Sequence, residues 1–204
     1  MKEFKRVFTI NPDYDTILWD NDGCAYPCYD DTLELCIDDD ENYVSINIPG
    51  IYEWQQEFEL ATDFAETKTK EGFDWIGWHK RGIEFAKQLR EMGYAVYDTD
   101  SEAKRLIVED AMVRNRMEQL FGKEVYADGV YQTALVAQRV FTDKTLLAQL
   151  NAIVHPAVKA DILRWTTNDH LSSTESQSNP QKSDLQRKDF LFIECAILYQ
   201  AGFD

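Results

Sequence analysis

"EFAKQLREMGYAVYDTDSEAKRL", residues 84–106, decides how this chain is read. Its first half spaces Phe85, Ala86 and Leu89 along one helical face, and Gly93 supplies the stop. "YAV" then reads as a short buried strand, followed by Asp98 and Asp100. A second helix is expected from Ser101, with Glu102 in its first turn. Helix, tight turn, strand, acids and helix again is an α/β signature. In open α/β sheets ligands bind beyond the carboxyl ends of the strands. A carboxylate placed there can take a proton from an attacking hydroxyl or hold Mg²⁺. The same letters serve structure alone, because Asp is a good helix N-cap.

The rest of the chain extends this pattern on both sides. Residues 1 to about 48 are β-rich: "RVFTI", "TILWD" and "YVSINI" are β-branched and aromatic runs separated by "NPDYD", "DNDG" and "DDDEN". From Pro49, "IYEWQQEFELATDFAE" places Ile51, Trp54, Phe58 and Leu60 at near-helical spacing. "GFDWIGWHKRGIEFAKQLREMG" follows as a second helix. Beyond the acids, "SEAKRLIVEDAMVRNRMEQLFG" is a helix pair broken near Glu109 and Asp110. "ALVAQRVF" and "KTLLAQLNAIVHPAVKADILRW" are helical, with Pro156 at a kink or a new first turn. Residues 167–189 are polar and read as a mobile loop or insertion. "FLFIECAIL" is the continuous apolar run of a central parallel strand. A composition shift near residues 70–80 divides the chain into an acidic segment, 1–75, and a region 76–204.

Bulk properties narrow the partners. The chain has 204 residues, 44% hydrophobic and 13% aromatic, enough for one sizeable domain or two small ones. A net charge of −16 repels bare nucleic acid and anionic membrane, so any phosphate site needs its own cluster of Lys and Arg. No apolar run reaches the roughly 20 residues of a membrane helix, and the first residues lack the apolar stretch of a signal peptide. Cys24, Cys28, Cys36 and Cys195 do not form the framework of a disulfide-rich secreted domain, so a reducing cytoplasm is expected.

A longer set of pieces carries a family resemblance. "LREMGYAVYDTDSEAKRL", "LFGKEVYADGVY", "RVF", "LNAIVHPAV" and "FLFIECAILYQAGFD" occur in this order, and together they resemble dephospho-CoA kinase. The resemblance implies a P-loop-kinase-like parallel sheet with a helical substrate-binding insertion, here incomplete and preceded by a small acidic α+β segment. It implies transfer of the ATP γ-phosphoryl group to the 3′-hydroxyl of dephospho-CoA, with Mg²⁺. By position, Asp100 is the base, and Asp98 is the first acid at the strand end. Lys104 falls where a basic residue usually follows. Arg139, His155 and Pro156 lie in the part that holds the CoA moiety. Read from the residues alone, His155 is equally a satisfied helix-interface histidine.

The family's phosphate loop is not in these letters. A P-loop needs G-x-x-x-x-G-K-[ST], with glycines that let backbone N–H groups close on phosphate. Family spacing puts its Lys at about Gly82 and its hydroxyl at about Ile83. Lys80, between Gly77 and Gly82, is the residue nearest to a phosphate contact, flanked by bulky Trp78 and His79. "WIGWHKRGIEFAKQL" otherwise reads as an amphipathic helix with a basic patch. Other departures are Gln200 in place of an acid, and Gln132 and Thr133 in place of a basic residue. The family's arginine-bearing lid does not appear within the 204 residues.

Two further functions fit parts of the sequence. "TILWDNDGCAYP" resembles the first motif of haloacid-dehalogenase-like phosphatases, with Asp20 as nucleophile and Asp22 as acid/base. A hairpin with an Asn-Asp-Gly turn gives the same letters. Alternatively residues 1–90 are a non-catalytic acidic binding module that docks a protein partner. No metal site is expected. Cys24, Cys28 and Cys36 lack zinc spacing. His79, His155 and His170 are scattered, and "DDDEN" lacks the pattern of a calcium loop.

Overall fold

The structure is a computed structural model that describes residues 6–13, 16–20, 22–26, 28–36, 43–62, 70–167 and 190–194. It is a mixed α/β protein that divides into two compact units, Met1–Asp98 with Leu171–Ala196, and Thr99–His170 with Ile197–Asp204.

The first unit is built on a five-stranded sheet in the order β3-β2-β1-β8-β7. Its strands are β1 (Arg6–Asp13), β2 (Thr16–Asp20), β3 (Ala25–Tyr26), β7 (Ala95–Asp98) and β8 (Phe190–Glu194). β8 runs parallel to both β1 and β7, while β2 is antiparallel to both of its neighbours. The first strands of the chain therefore extend the same sheet as the strand before Asp98. Every residue of β8 is buried, as its unbroken apolar run requires of a central strand. Phe8, Phe190 and Phe192 are buried on adjacent strands, with Phe8 and Phe192 stacked at 5.6 Å between ring centroids. A second, antiparallel sheet comprises β4 (Cys28–Tyr29), β5 (Thr32–Cys36) and β6 (Tyr43–Asn47).

Two helices complete this unit, α1 (Ile51–Ala61) and α2 (Trp75–Glu91). α1 buries Ile51, Trp54 and Phe58 as the spacing predicts, but Leu60 is exposed and Gln55 and Ala61 take the inner face instead. Ala61 is the next position along the stripe of Trp54 and Phe58; Leu60 lies about 100° away from it. α2 buries Trp78, Gly82, Phe85, Ala86 and Leu89. The two helices are joined by Trp54 and Trp78, whose rings stack at 4.4 Å. Each indole N–H donates to the other residue's backbone carbonyl, at 2.8 and 3.0 Å. This arrangement buries two large rings without leaving either N–H unsatisfied.

The second unit is helical over its described residues: α3 (Thr99–Glu109), α4 (Ala111–Phe121), a 3-10 turn (Lys123–Gly129), α5 (Thr133–Thr142) and α6 (Lys144–Thr167). α3 starts at Thr99, two residues earlier than the sequence suggests, so Asp100 and Glu102 both lie in its first turn. There they complement the helix dipole. The expected break at Glu109 and Asp110 has a local cause, because the Asp110 carboxylate accepts from the N–H groups of Met112 and Val113 and caps α4. Gly122, at φ 88°, closes α4. Pro156 neither starts nor breaks a helix, since α6 runs through it for 24 residues. Arg105 on α3 pairs with Asp161 on α6 at 2.8 Å, and with Glu102 and Glu109 on its own helix. Hydrogen bonding to Glu102 is the main reason its guanidinium is held above the usual arginine range.

Candidate active site

The carboxyl edge of the parallel strands in the first unit is where a ligand is expected. Asp98 closes β7, and its register partner on β8 is Glu194. Glu194 is also the partner of Ile10 on β1. The two acids thus face the same side of neighbouring strands at one edge. Glu194 is 6% exposed, although buried carboxylates are uncommon. Arg90, in the last turn of α2, reaches Asp98 Oδ2 at 3.8 Å. Glu194 was missed in the sequence because it sits inside an apolar run. The signal was there, since an acid that ends a fully buried strand needs a reason to be buried.

Asp100, Lys104, Arg139, His155 and Pro156 lie in the second unit. Asp100 and Lys104 are one turn apart on α3, so they share a face, while Thr99, Ala103, Leu106 and Ile107 are buried. Lys104 is exposed. Arg139 on α5 donates to the Phe121 carbonyl at the end of α4, and to Glu124 at 3.0 Å. It thereby closes the turn in which Tyr126 donates to the Ile107 carbonyl at 2.6 Å, with Arg114 over the Tyr126 ring. Burial pushes the Tyr126 hydroxyl up to about 12, so it stays protonated and remains a donor. His155 is half-buried on α6, and burial holds its imidazole below the usual histidine range. The neighbouring Pro156 is exposed.

Residues 76–83, where family spacing would put the phosphate loop, lie inside α2. From Trp78 on the backbone N–H groups are taken up in the helix, the Gly77 N–H donates to the Asp74 carboxylate, and no helix N-terminus opens at Gly82 or Ile83. Each glycine has a packing reason. A Cβ on Gly82 would stand 2.8 Å from the Trp54 ring, and one on Gly77 would meet the Asp74 carboxylate that caps α2. Lys80 is exposed on this helix. On the parallel side of the sheet, β1 turns back into the antiparallel β2 and gives no strand-to-helix loop.

β2 and β3, which flank "DNDG", pair as an antiparallel hairpin. The carboxylate of Asp20 accepts from the N–H groups of Asp22 and Cys24 and from the Tyr26 hydroxyl. β2 is antiparallel on both sides and leads into β3, so Asp20 is not placed as a nucleophile ahead of a helix. The phosphatase reading through Asp20 and Asp22 is corrected accordingly. Among the described residues no three His, Cys, Asp or Glu side chains gather as a metal site, and no helix is long and apolar enough to cross a membrane. Cys24 and Cys28 are free thiols, and burial pushes Cys28 up to about 11. Gln200, Cys195, His170, "DDDEN" and the polar stretch from residue 168 lie outside the described residues.

Comparison with known proteins gives this geometry a context. Residues 82–174 match the family model of dephospho-CoA kinase. The match begins at Gly82, where the family spacing puts the phosphate-loop lysine. A dephospho-CoA kinase of Porphyromonas gingivalis is 34% identical over 116 residues, which are 57% of this chain and 49% of the relative. One from Bacteroides fragilis is 30% identical over 115 residues, 56% of this chain and 48% of the relative. A solved structure, TT1252 from Thermus thermophilus, overlaps with a TM-score of 0.44 at 25% identity, covering 62% of this chain and 55% of that one. The chain spans about half the length of the curated relatives it matches. Over residues 82–174, then, this chain is similar to the dephospho-CoA kinases, and the resemblance carried by Asp98, Asp100, Arg139 and His155 falls within that match.

Proposed function

We propose that this protein is a dephospho-CoA kinase-like protein of coenzyme A biosynthesis, acting in the cytoplasm. Residues 76–204 carry the function, and residues 1–75 are an acidic segment open to a protein partner. The observation that carries this reading is the family match that spans the strand-acid-helix junction at Asp98 and Asp100. If turnover occurs, Asp100 would accept the proton of the 3′-hydroxyl as its oxygen attacks the γ-phosphorus of ATP, and ADP would leave. Asp98, Lys104, Arg139, His155 and Pro156 hold and orient dephospho-CoA. Among these, Lys104 and Arg139 are the cations suited to its phosphates. Mg²⁺ binds through one or two carboxylates plus substrate phosphates and water. The register pair Asp98 and Glu194 offers such oxygen donors, and the ion would offset phosphate charge there.

The residues at the phosphate-loop position do not fit an ATP triphosphate, because they lie within α2. That single observation favours a second reading, an acidic binding protein that holds dephospho-CoA or a protein partner without transferring phosphate. Lys80 is the cation of α2 we assign to a phosphate if turnover occurs. The deciding experiment is phosphoryl transfer from Mg-ATP to dephospho-CoA by the purified chain, with Asp100→Asn as control. Turnover that is lost in the Asn variant supports the kinase. A folded chain that binds dephospho-CoA without turnover supports the binder.

A further inference from the structure

Arg90 has a position that no motif assigns. It sits in the last turn of α2, and its guanidinium reaches back over the following strand to Asp98 Oδ2 at 3.8 Å. Both side chains are only about a third exposed, at 35% and 28%. Asp98 is in register with the buried Glu194 on the central strand. A carboxylate at a strand end samples several rotamers unless a neighbouring group restrains it. We infer that Arg90 is a positioning residue for Asp98, fixing that carboxylate at the carboxyl edge of the sheet so that it can take a hydroxyl of the bound dephospho-CoA.

This inference rests on the proposed binding of dephospho-CoA. Arg90 touches no substrate atom in it and acts through Asp98 alone. Two other roles account for an arginine here. It can complement the α2 dipole, which affects only stability. It can also meet a phosphate of the ligand directly, which affects binding whatever stands at 98.

The test is calorimetric titration of dephospho-CoA into the full chain and into Arg90→Gln, Arg90→Lys, Asp98→Asn and the Gln/Asn double variant. Melting temperatures are recorded alongside, and Lys87→Ala serves as a surface control. Binding should weaken about fivefold in Arg90→Gln, a loss suited to a partly exposed pair. Arg90→Lys should recover most of it, and the double variant should bind no worse than Asp98→Asn alone. Additive losses in the double variant overturn the inference in favour of direct phosphate contact. Unchanged binding in Arg90→Gln, with only the melting temperature moved, reduces Arg90 to a helix-end charge and also overturns it. If the unaltered chain does not bind dephospho-CoA, the proposed function fails, and this inference with it.

Discussion

Asp31 caps a helix to which it is not locally connected. Its carboxylate accepts from the backbone N–H of Tyr52 at 3.0 Å and from that of Gly50 at 2.9 Å, and so ties the β4–β5 turn to the start of α1. No side chain next to α1 does this, because its own N-cap position is Gly50. Asp31 is itself in the left-handed region, at φ 61°, which Asp and Asn tolerate better than other residues. Asp31→Ala should therefore cost about 1–2 kcal/mol in chemical denaturation. Asp31→Asn, which keeps one acceptor and suits the backbone, should cost clearly less. Equal losses in both would remove the capping role.

Gly82 tests the packing account of α2. Alanine at an exposed helix site gains about 1 kcal/mol over glycine. Here a Cβ would stand 2.8 Å from Trp54, and overpacking costs about 1–3 kcal/mol. Gly82→Ala should thus lower the melting temperature, with the Trp54–Trp78 stack disturbed in the near-ultraviolet circular dichroism. A rise in melting temperature would show that the rings yield.

The commitment of residues 76–83 to α2 predicts a weak response to nucleotide. Millimolar Mg-ATP should leave the melting temperature within error of the control, because a ligand stabilises only what it binds. A saturable upward shift would mean that phosphate is held elsewhere, and Lys80→Ala would then be the first variant to examine.

His155 gives a pH signature. Burial lowers its folded pKa below the ordinary 6.5, so the unfolded chain takes up its proton first. The sign follows: His155 costs no stability well above pH 6.5, and its penalty grows as pH falls through 6.5 toward the folded value. His155→Gln should flatten the fall in stability between pH 7 and pH 5 relative to the unaltered chain. An unchanged slope would assign the whole fall to other groups.

Arg139 separates structure from ligand binding. Its guanidinium closes the turn between Phe121 and Glu124, so Arg139→Ala should lower stability by about 1–2 kcal/mol. If it also faces dephospho-CoA, Arg139→Lys should bind the ligand more weakly, because a point charge does not replace a planar fork. Unchanged affinity in Arg139→Lys and in His155→Gln would remove both from the site.

Much of this fold can be read from local sequence. Gly93, Asp110 and Gly122 set helix ends by chemistry confined to a few residues, and α2, α4 and β8 follow their apolar patterns. What could not be read depends on partners distant in sequence. The pairing of β1 with β8 joins Arg6 to Phe190, and no local pattern encodes that. Leu60 and Ala61 exchange roles because the surface that α1 meets, not the hydrophobicity of its residues, decides which face is inner. At the candidate site Asp98 and Asp100 were legible as a strand-end pair. Glu194 and Arg90 were not, since each gains its meaning only from the register of β7 on β8 and the reach of α2.

The central place of β8 also governs the order of events during synthesis. The strand that joins β1 to β7 is made after both of them and after α3–α6, so β1 and β7 wait on the ribosome with their inner hydrogen-bonding edges unpaired. Closing such distant pairs is slow, and exposed strand edges invite the wrong partner in the meantime. The first unit is therefore the part of this chain that should depend on chaperones in the cell.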